Sequence, residues 1–137
     1  MADITVTAAR VALVHPESSE TFNVILAEAA TQGQALYQNT SGTYGLADAN
    51  AGGKQQVRGV ALEAGGAGQC VSMLKKGVLA GFTTATYDDP VYLSDTAGAL
   101  STTPGTLTVY CGRVIGEADA GLTETLYIEC DWLRAWS

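Results

Sequence analysis

The chain has 137 residues, 47% of them apolar and only 15% charged, against about 25% charged in an ordinary soluble domain. Ala, Gly and Thr supply 21, 16 and 16 residues while Phe and Trp supply two each, which excludes a disordered chain, poor in apolar residues, and a coiled coil, rich in Glu, Lys and Leu. The net charge of −7 opposes nucleic-acid binding, which takes clustered Lys and Arg to neutralise phosphates.

Residues 4–14 open with alternation, Ile4 and Val6 against Thr5 and Thr7, the period of a strand. His15-Pro16 breaks it, because proline has no N–H and biases the preceding residue toward extended geometry. Phe22 to Leu26 is a second short apolar run, and Ala27 to Ala30 has room for one helical turn before Gly33. Residues 1–32 therefore read as an N-terminal arm. No apolar run approaches the roughly 18 residues of a membrane-spanning helix. The N-terminus lacks the basic and apolar regions of a secretory signal, so synthesis in a cytoplasm is expected, with no membrane contact.

From Gly33 onward the chain reads as duplicated. Gly33-Gln34-Ala35-Leu36-Tyr37 is matched 55 residues later by Asp88-Asp89-Pro90-Val91-Tyr92. The same offset pairs Arg58 with Arg113, Val60 with Ile115, Val71 with Leu126 and Met73 with Ile128. Each half has a short strand, a Gly-containing turn, a partner strand at Leu46 or Leu100, a loop of small residues and two longer strands. The longer strands are Gln56–Glu63 and Gln69–Leu74 in the first half, and Leu107–Glu117 and Thr125–Cys130 in the second. Their turns fall at Gly65 to Gly68 and at Asp119-Ala120-Gly121, and Lys76 to Phe82 forms a further strand between the halves. Evenly spaced turns predict an all-β fold. The expected form is a small β-barrel or sandwich of short antiparallel strands with an internal pseudo-repeat, an extended N-terminal arm and very little helix. The domain plan is 1–32 arm and 33–137 barrel, with pseudo-repeats of about 33–87 and 88–137.

The inventory of reactive groups is thin. His15 is the single histidine, and no Gly-x-Ser-x-Gly elbow occurs. Gly52-Gly53-Lys54 is followed by Gln55, where a phosphate loop needs Ser or Thr. Asp88, Asp89 and Asp95 are interrupted by Val91, Tyr92 and Leu93, unlike the alternating ligands of a calcium loop. Cys70, Cys111 and Cys130 lack zinc-site spacing and read as reduced, buried small hydrophobes. No catalytic residue, metal site or cofactor is therefore assigned, and the chain is not expected to be an enzyme. Trp132 and Trp136 lie in the last six residues. Trp is a residue type of interface hot spots, which makes both candidates for a contact, although Trp132 also suits a cap on the barrel.

Five motifs together carry a resemblance. They are Gly-x-x-Leu-Tyr at 33–37, Val-Arg-Gly-Val-Ala at 57–61, Lys-Gly-Val-Leu at 76–79, Asp-Asp-Pro-Val-Tyr at 88–92 and Gly-Arg-Val-Ile-Gly at 112–116, closed by Leu126-Tyr127-Ile128. Over Gly33 to Trp132 the chain resembles the capsid decoration, or cement, proteins of tailed bacteriophages. The resemblance implies a homotrimer on the outer surface of the head, bridging major capsid subunits and stabilising the expanded shell. It implies no active site. Residues 1–32 fall outside it. Their alternation suits strand addition to a neighbour, with the barrel folding without residues 2–14. The candidate capsid or subunit contacts are Ile4, Val6, Val11, Leu13, Phe22, Trp132 and Trp136. The alternative is a tail- or fibre-associated or carbohydrate-binding β module, using tyrosines such as Tyr37, Tyr44, Tyr87 and Tyr92.

Overall fold

Short runs of β-branched and small residues, cut by glycine turns, give a chain that is 48% strand and 5% helix, as a strongly curled antiparallel sheet forming a half-barrel. The computed structural model describes residues 3–50, 52–83, 86–116, 124–133 and 136. The predicted turn at Asp119-Ala120-Gly121 lies outside them.

The strands are β1 (Thr5–Val6), β2 (Ala12–Leu13), β3 (Glu20–Ile25), β4 (Ala35–Gln38), β5 (Tyr44–Leu46), β6 (Val57–Ala61), β7 (Cys70–Ala80), β8 (Phe82–Thr83), β9 (Pro90–Leu93), β10 (Leu100–Ser101), β11 (Tyr110–Gly116) and β12 (Glu124–Glu129). Two three-residue 3-10 turns, Ala8–Arg10 and Pro16–Ser18, punctuate the arm. The helical turn expected at 27–30 is absent; Leu26 bridges Tyr44 and Ala30 bridges Gly65, so tertiary pairing overrides the alanines' helix propensity.

The two strands expected at 69–74 and 76–82 are largely one continuous strand, β7, which organises the molecule. Along one edge of β7, β6 pairs at Met73 and Leu74 and β12 pairs from Lys76 to Leu79. Along the other edge lie β3, from Cys70 to Lys76, and β2, at Leu79 and Ala80. Two units of five strands result. The first is ordered β5-β4-β6-β7-β3, using the first half of β7; the second is β10-β9-β11-β12-β7, using the second half. Thus β3 holds in the first unit the place that the end of β7 holds in the second, and the repeated architecture reaches upstream of Gly33.

Hydrogen bonding confirms the repeat in detail. Gly33 N–H donates to Ala61 and Ala61 N–H to Gln34; Asp88 N–H donates to Val114 and Val114 N–H to Asp89. The bulge at Arg58 of β6, opposite Leu36 and Tyr37, has its counterpart at Cys111 of β11, opposite Val91 and Tyr92. The tyrosines keep the offset of 55, but β6 and β11 match at 53, because the loop 102–109 is shorter than the loop 47–56. Gly59 therefore corresponds to Gly112. A Cβ on Gly59 would lie 2.6 Å from the Leu74 carbonyl oxygen, and one on Gly112 would overlap the Tyr127 carbonyl. Only glycine lets the strands approach this closely.

The core uses the small side chains that dominate the composition. Leu26, Leu36, Val71 and Met73 form one cluster under the first unit. The larger cluster joins both units and includes Val57, Val60, Leu79, Leu93, Leu126 and Ile128. The arm is extended but docked on its own chain. Ile4 is 6% exposed and belongs to the larger cluster. Its N–H donates to Leu100 at 2.8 Å, Asp3 bridges Ser101, and β1 pairs with β8. Removing residues 2–14 would therefore uncover core surface, contrary to the expectation that the barrel folds without them.

Candidate interaction surface

The predicted contact residues fall into three groups. Ile4 and Trp136 are core residues, with Trp136 5% exposed. The Trp136 carbonyl accepts from Gln55 Nε2 at 3.0 Å and Gln56 Nε2 at 2.7 Å, and its N–H donates to Gln56 Oε1 at 2.9 Å. These bonds hold Trp136 down, and its ring packs into the larger core cluster. Val11 and Leu13 are partly buried against the same core, and Val6 sits exposed on β1 beside β8.

Phe22 and Trp132 form the third group and come together at the surface. Their ring centroids are 4.7 Å apart at an interplanar angle of 37°. Trp132 Nε1 donates to the Arg58 carbonyl at 2.7 Å, which fixes the indole over the end of β6. Lys75 Nζ stands 5.4 Å from the indole centroid and pairs with Glu20 at 3.3 Å, a cation over an aromatic face. Phe22 is 41% exposed, Ile25 43% and Leu133 99%. A shallow cleft of about 500 Å³ beside Trp132 and Leu133 is lined also by Glu20, Lys75, Lys76 and Cys130. Ile25 and Leu133 were not singled out from the sequence. Ile25 follows Val24 on a strand, so period two turns one outward when the other is buried, but the register deciding which is set by pairing with β7.

Several other polar groups hold turns and loops. His15 caps a turn, its carbonyl accepting from Ser19 Oγ at 2.7 Å, with Glu17 at 3.8 Å from the ring. Asp95 accepts from the N–H and hydroxyl of Thr106 at 2.8 and 2.9 Å, clamping a loop. Gly65 to Gly68 form the β6–β7 hairpin turn, with Gly66 N–H bound to Gln69 Oε1 at 2.6 Å. Cys111 and Cys130 are buried; burial pushes the Cys111 thiol well up and that of Cys130 to about 12, the reverse of nucleophile activation. Cys70 departs from expectation in being exposed. Comparison with known proteins finds no matching family model and no matching curated protein.

Proposed function

We infer that the chain is a structural virion protein that binds the outer surface of a phage head, as a homotrimer, bridging major capsid subunits and stabilising the expanded shell. The observation that carries this reading is the exposed Phe22–Trp132–Leu133 surface, bordered by the Lys75–Glu20 pair, on a closely hydrogen-bonded β scaffold. An apolar centre with a charged rim is the anatomy of a protein contact. Several weak contacts engaged at once through an oligomer give strong attachment by effective concentration.

The test is copy number in purified virions, by quantitative mass spectrometry against the most abundant capsid protein. Decoration of every lattice position predicts a ratio on the order of one to one. Trp132→Ala and Phe22→Ser, checked for folding, should lower occupancy on expanded heads more than tenfold. A handful of copies per particle favours the second reading, a tail- or fibre-associated or carbohydrate-binding module. One observation supports that alternative: the partly exposed Tyr92 and the exposed Tyr110 hold their rings 5.0 Å apart in a tilted pair. Absence from virions overturns both phage readings.

A further inference from the structure

Equivalent residues of the two units are buried on opposite faces. The β6–β7 and β11–β12 hairpins match pair for pair: Val60 faces Leu74 as Arg113 faces Tyr127, and Ala61 faces Met73 as Val114 faces Leu126. Val57 opposite Tyr37 likewise matches Tyr110 opposite Tyr92. In the first unit, the face with Val57, Val60 and Leu74 is fully buried in the larger cluster. In the second, that face puts Tyr110, Arg113 and Tyr127 at the surface, with Tyr110 47% exposed. The other face of the sheet reverses this. In the second unit Val91, Val114, Leu126 and Leu79 lie in the larger cluster. In the first, their counterparts Leu36, Ala61 and Met73 form the separate smaller cluster. Phe22, which pairs with Met73 as Leu79 pairs with Leu126, stands 41% exposed against Trp132. Each chain thus packs one copy of each face into its shared core and leaves residues of the other copy at the surface.

We propose that the second unit's surface at Tyr110, Arg113 and Tyr127 docks on the first unit's surface at Phe22, Trp132 and Leu133 in a second copy of this chain. The occupant follows from the duplication. Within one chain, the first of these faces in unit one and the second in unit two already share the larger cluster. Docking between chains continues that order with the two faces left over. Both surfaces are rich in Tyr, Trp, Phe and Arg, the residue types enriched at protein contacts. Two different patches meet, so the contact is heterologous and successive copies follow head to tail, closing into a ring where the rotation allows. This names the subunit contact of the homotrimer proposed above and rests on that reading for the number of copies.

The test is the mass of the full chain in solution, by light scattering. Phe22→Lys and Tyr110→Lys each place a charge on one face and leave the other intact. Both side chains are exposed, so each variant should keep the native circular dichroism. Leu133→Lys, at a residue 99% exposed, repeats the first lesion without touching packed surface. The parent should have a three-chain mass and each variant alone a mass about threefold lower. Mixed, the Phe22→Lys and Tyr110→Lys variants should recover a two-chain species, because the intact face of each meets the intact face of the other. Two lesions in one self-matching patch do not complement in this way. The proposal is overturned by a parent of single-chain mass, by folded variants that keep the parent's mass, or by a mixture that stays single-chain. A single-chain parent found in high copy on virions overturns this contact and leaves the capsid reading standing, whereas a head-to-tail trimer absent from virions does the reverse. A Tyr110→Lys protein that keeps the parent's mass and loses binding to oligosaccharides overturns the contact and gives that face to a glycan.

Discussion

The two units share strand order, bulge and a tight glycine contact, yet they are completed differently. The first closes on itself, with Leu26 and Ala27 reaching Tyr44 on β5. The second is completed by borrowed chain, residues 3–7 running from β10 to β8, while β2 covers the end of β7. The N-terminal residues are thus committed to the second unit, while β3 completes the first and is flanked at its end by β5. Duplication fixes the scaffold, whereas the unduplicated segment completes only the second of its two halves.

The glycine contacts are the most severe test of equivalence. Gly112→Ala drives a methyl into the Tyr127 carbonyl, which is backbone and cannot rotate away. A loss of about 4 kcal/mol, or failure to fold, is expected. Gly59→Ala should cost less but still several-fold more than an exposed substitution, since one of its near neighbours is the flexible Met73 side chain at 2.5 Å. Urea unfolding measures both. A Gly112→Ala protein within about 1 kcal/mol of the parent would show that the β11–β12 approach is looser than described.

The cysteines separate the units next. Cys111 and Cys130 lie on or beside strands of the second unit and are buried, while Cys70 of the first is exposed. Thiols whose folded pKa is raised stay neutral in the native state while the unfolded chain ionises near 9. The unfolded state then binds fewer protons, so stability falls as pH rises above about 9, by roughly 1 kcal/mol per pH unit for each buried thiol. The fall from Cys130 ends near pH 12. Chemical denaturation between pH 8 and 11 should show this slope, and Cys130→Ala should lessen it. A flat profile would mean that the thiols are hydrated.

Much of this was legible in the sequence because the signals were local. Gly33 to Tyr37 and Asp88 to Tyr92 announced the repeat, and alternation at Ile4 to Thr7 announced strand chemistry in the arm. What was not legible depended on long-range pairing. The two-residue difference between loops 47–56 and 102–109 shifts the match of β6 and β11, so Arg113 falls opposite Pro90 rather than at the equivalent of Arg58. Trp136 read as a contact from residue type alone, but the amides of Gln55 and Gln56, about 80 residues away in sequence, draw it into the core. Likewise, nothing local shows that Ile4 joins β10 or that the end of β3 reaches Tyr44 on β5.

The smallest effect comes at the start of each repeat. Gly33 has φ +87°, and Asp88, its counterpart, is the one described non-glycine residue with positive φ, at +70°. At Gly33 a Cβ would lie 2.6 Å from the Val6 side chain, so Gly33→Ala adds a clash to the left-handed strain, for a loss of about 2 kcal/mol or more. Asp88→Gly should have the opposite sign. It relieves strain of about 1–2 kcal/mol, offset by about 0.5–1 kcal/mol of added freedom in the unfolded chain. It also gives up an exposed pairing of the Asp88 carboxylate with Arg113 at 3.6 Å, which is of little weight at the surface. The Asp88 carbonyl that also accepts from Arg113 is backbone and remains. The net expectation is a gain of about 0.5 kcal/mol, read as a small rise in unfolding midpoint. If Asp88→Gly instead destabilises as much as Gly33→Ala, the aspartate is held by its side chain, and the two turns are alike in shape but not in cause.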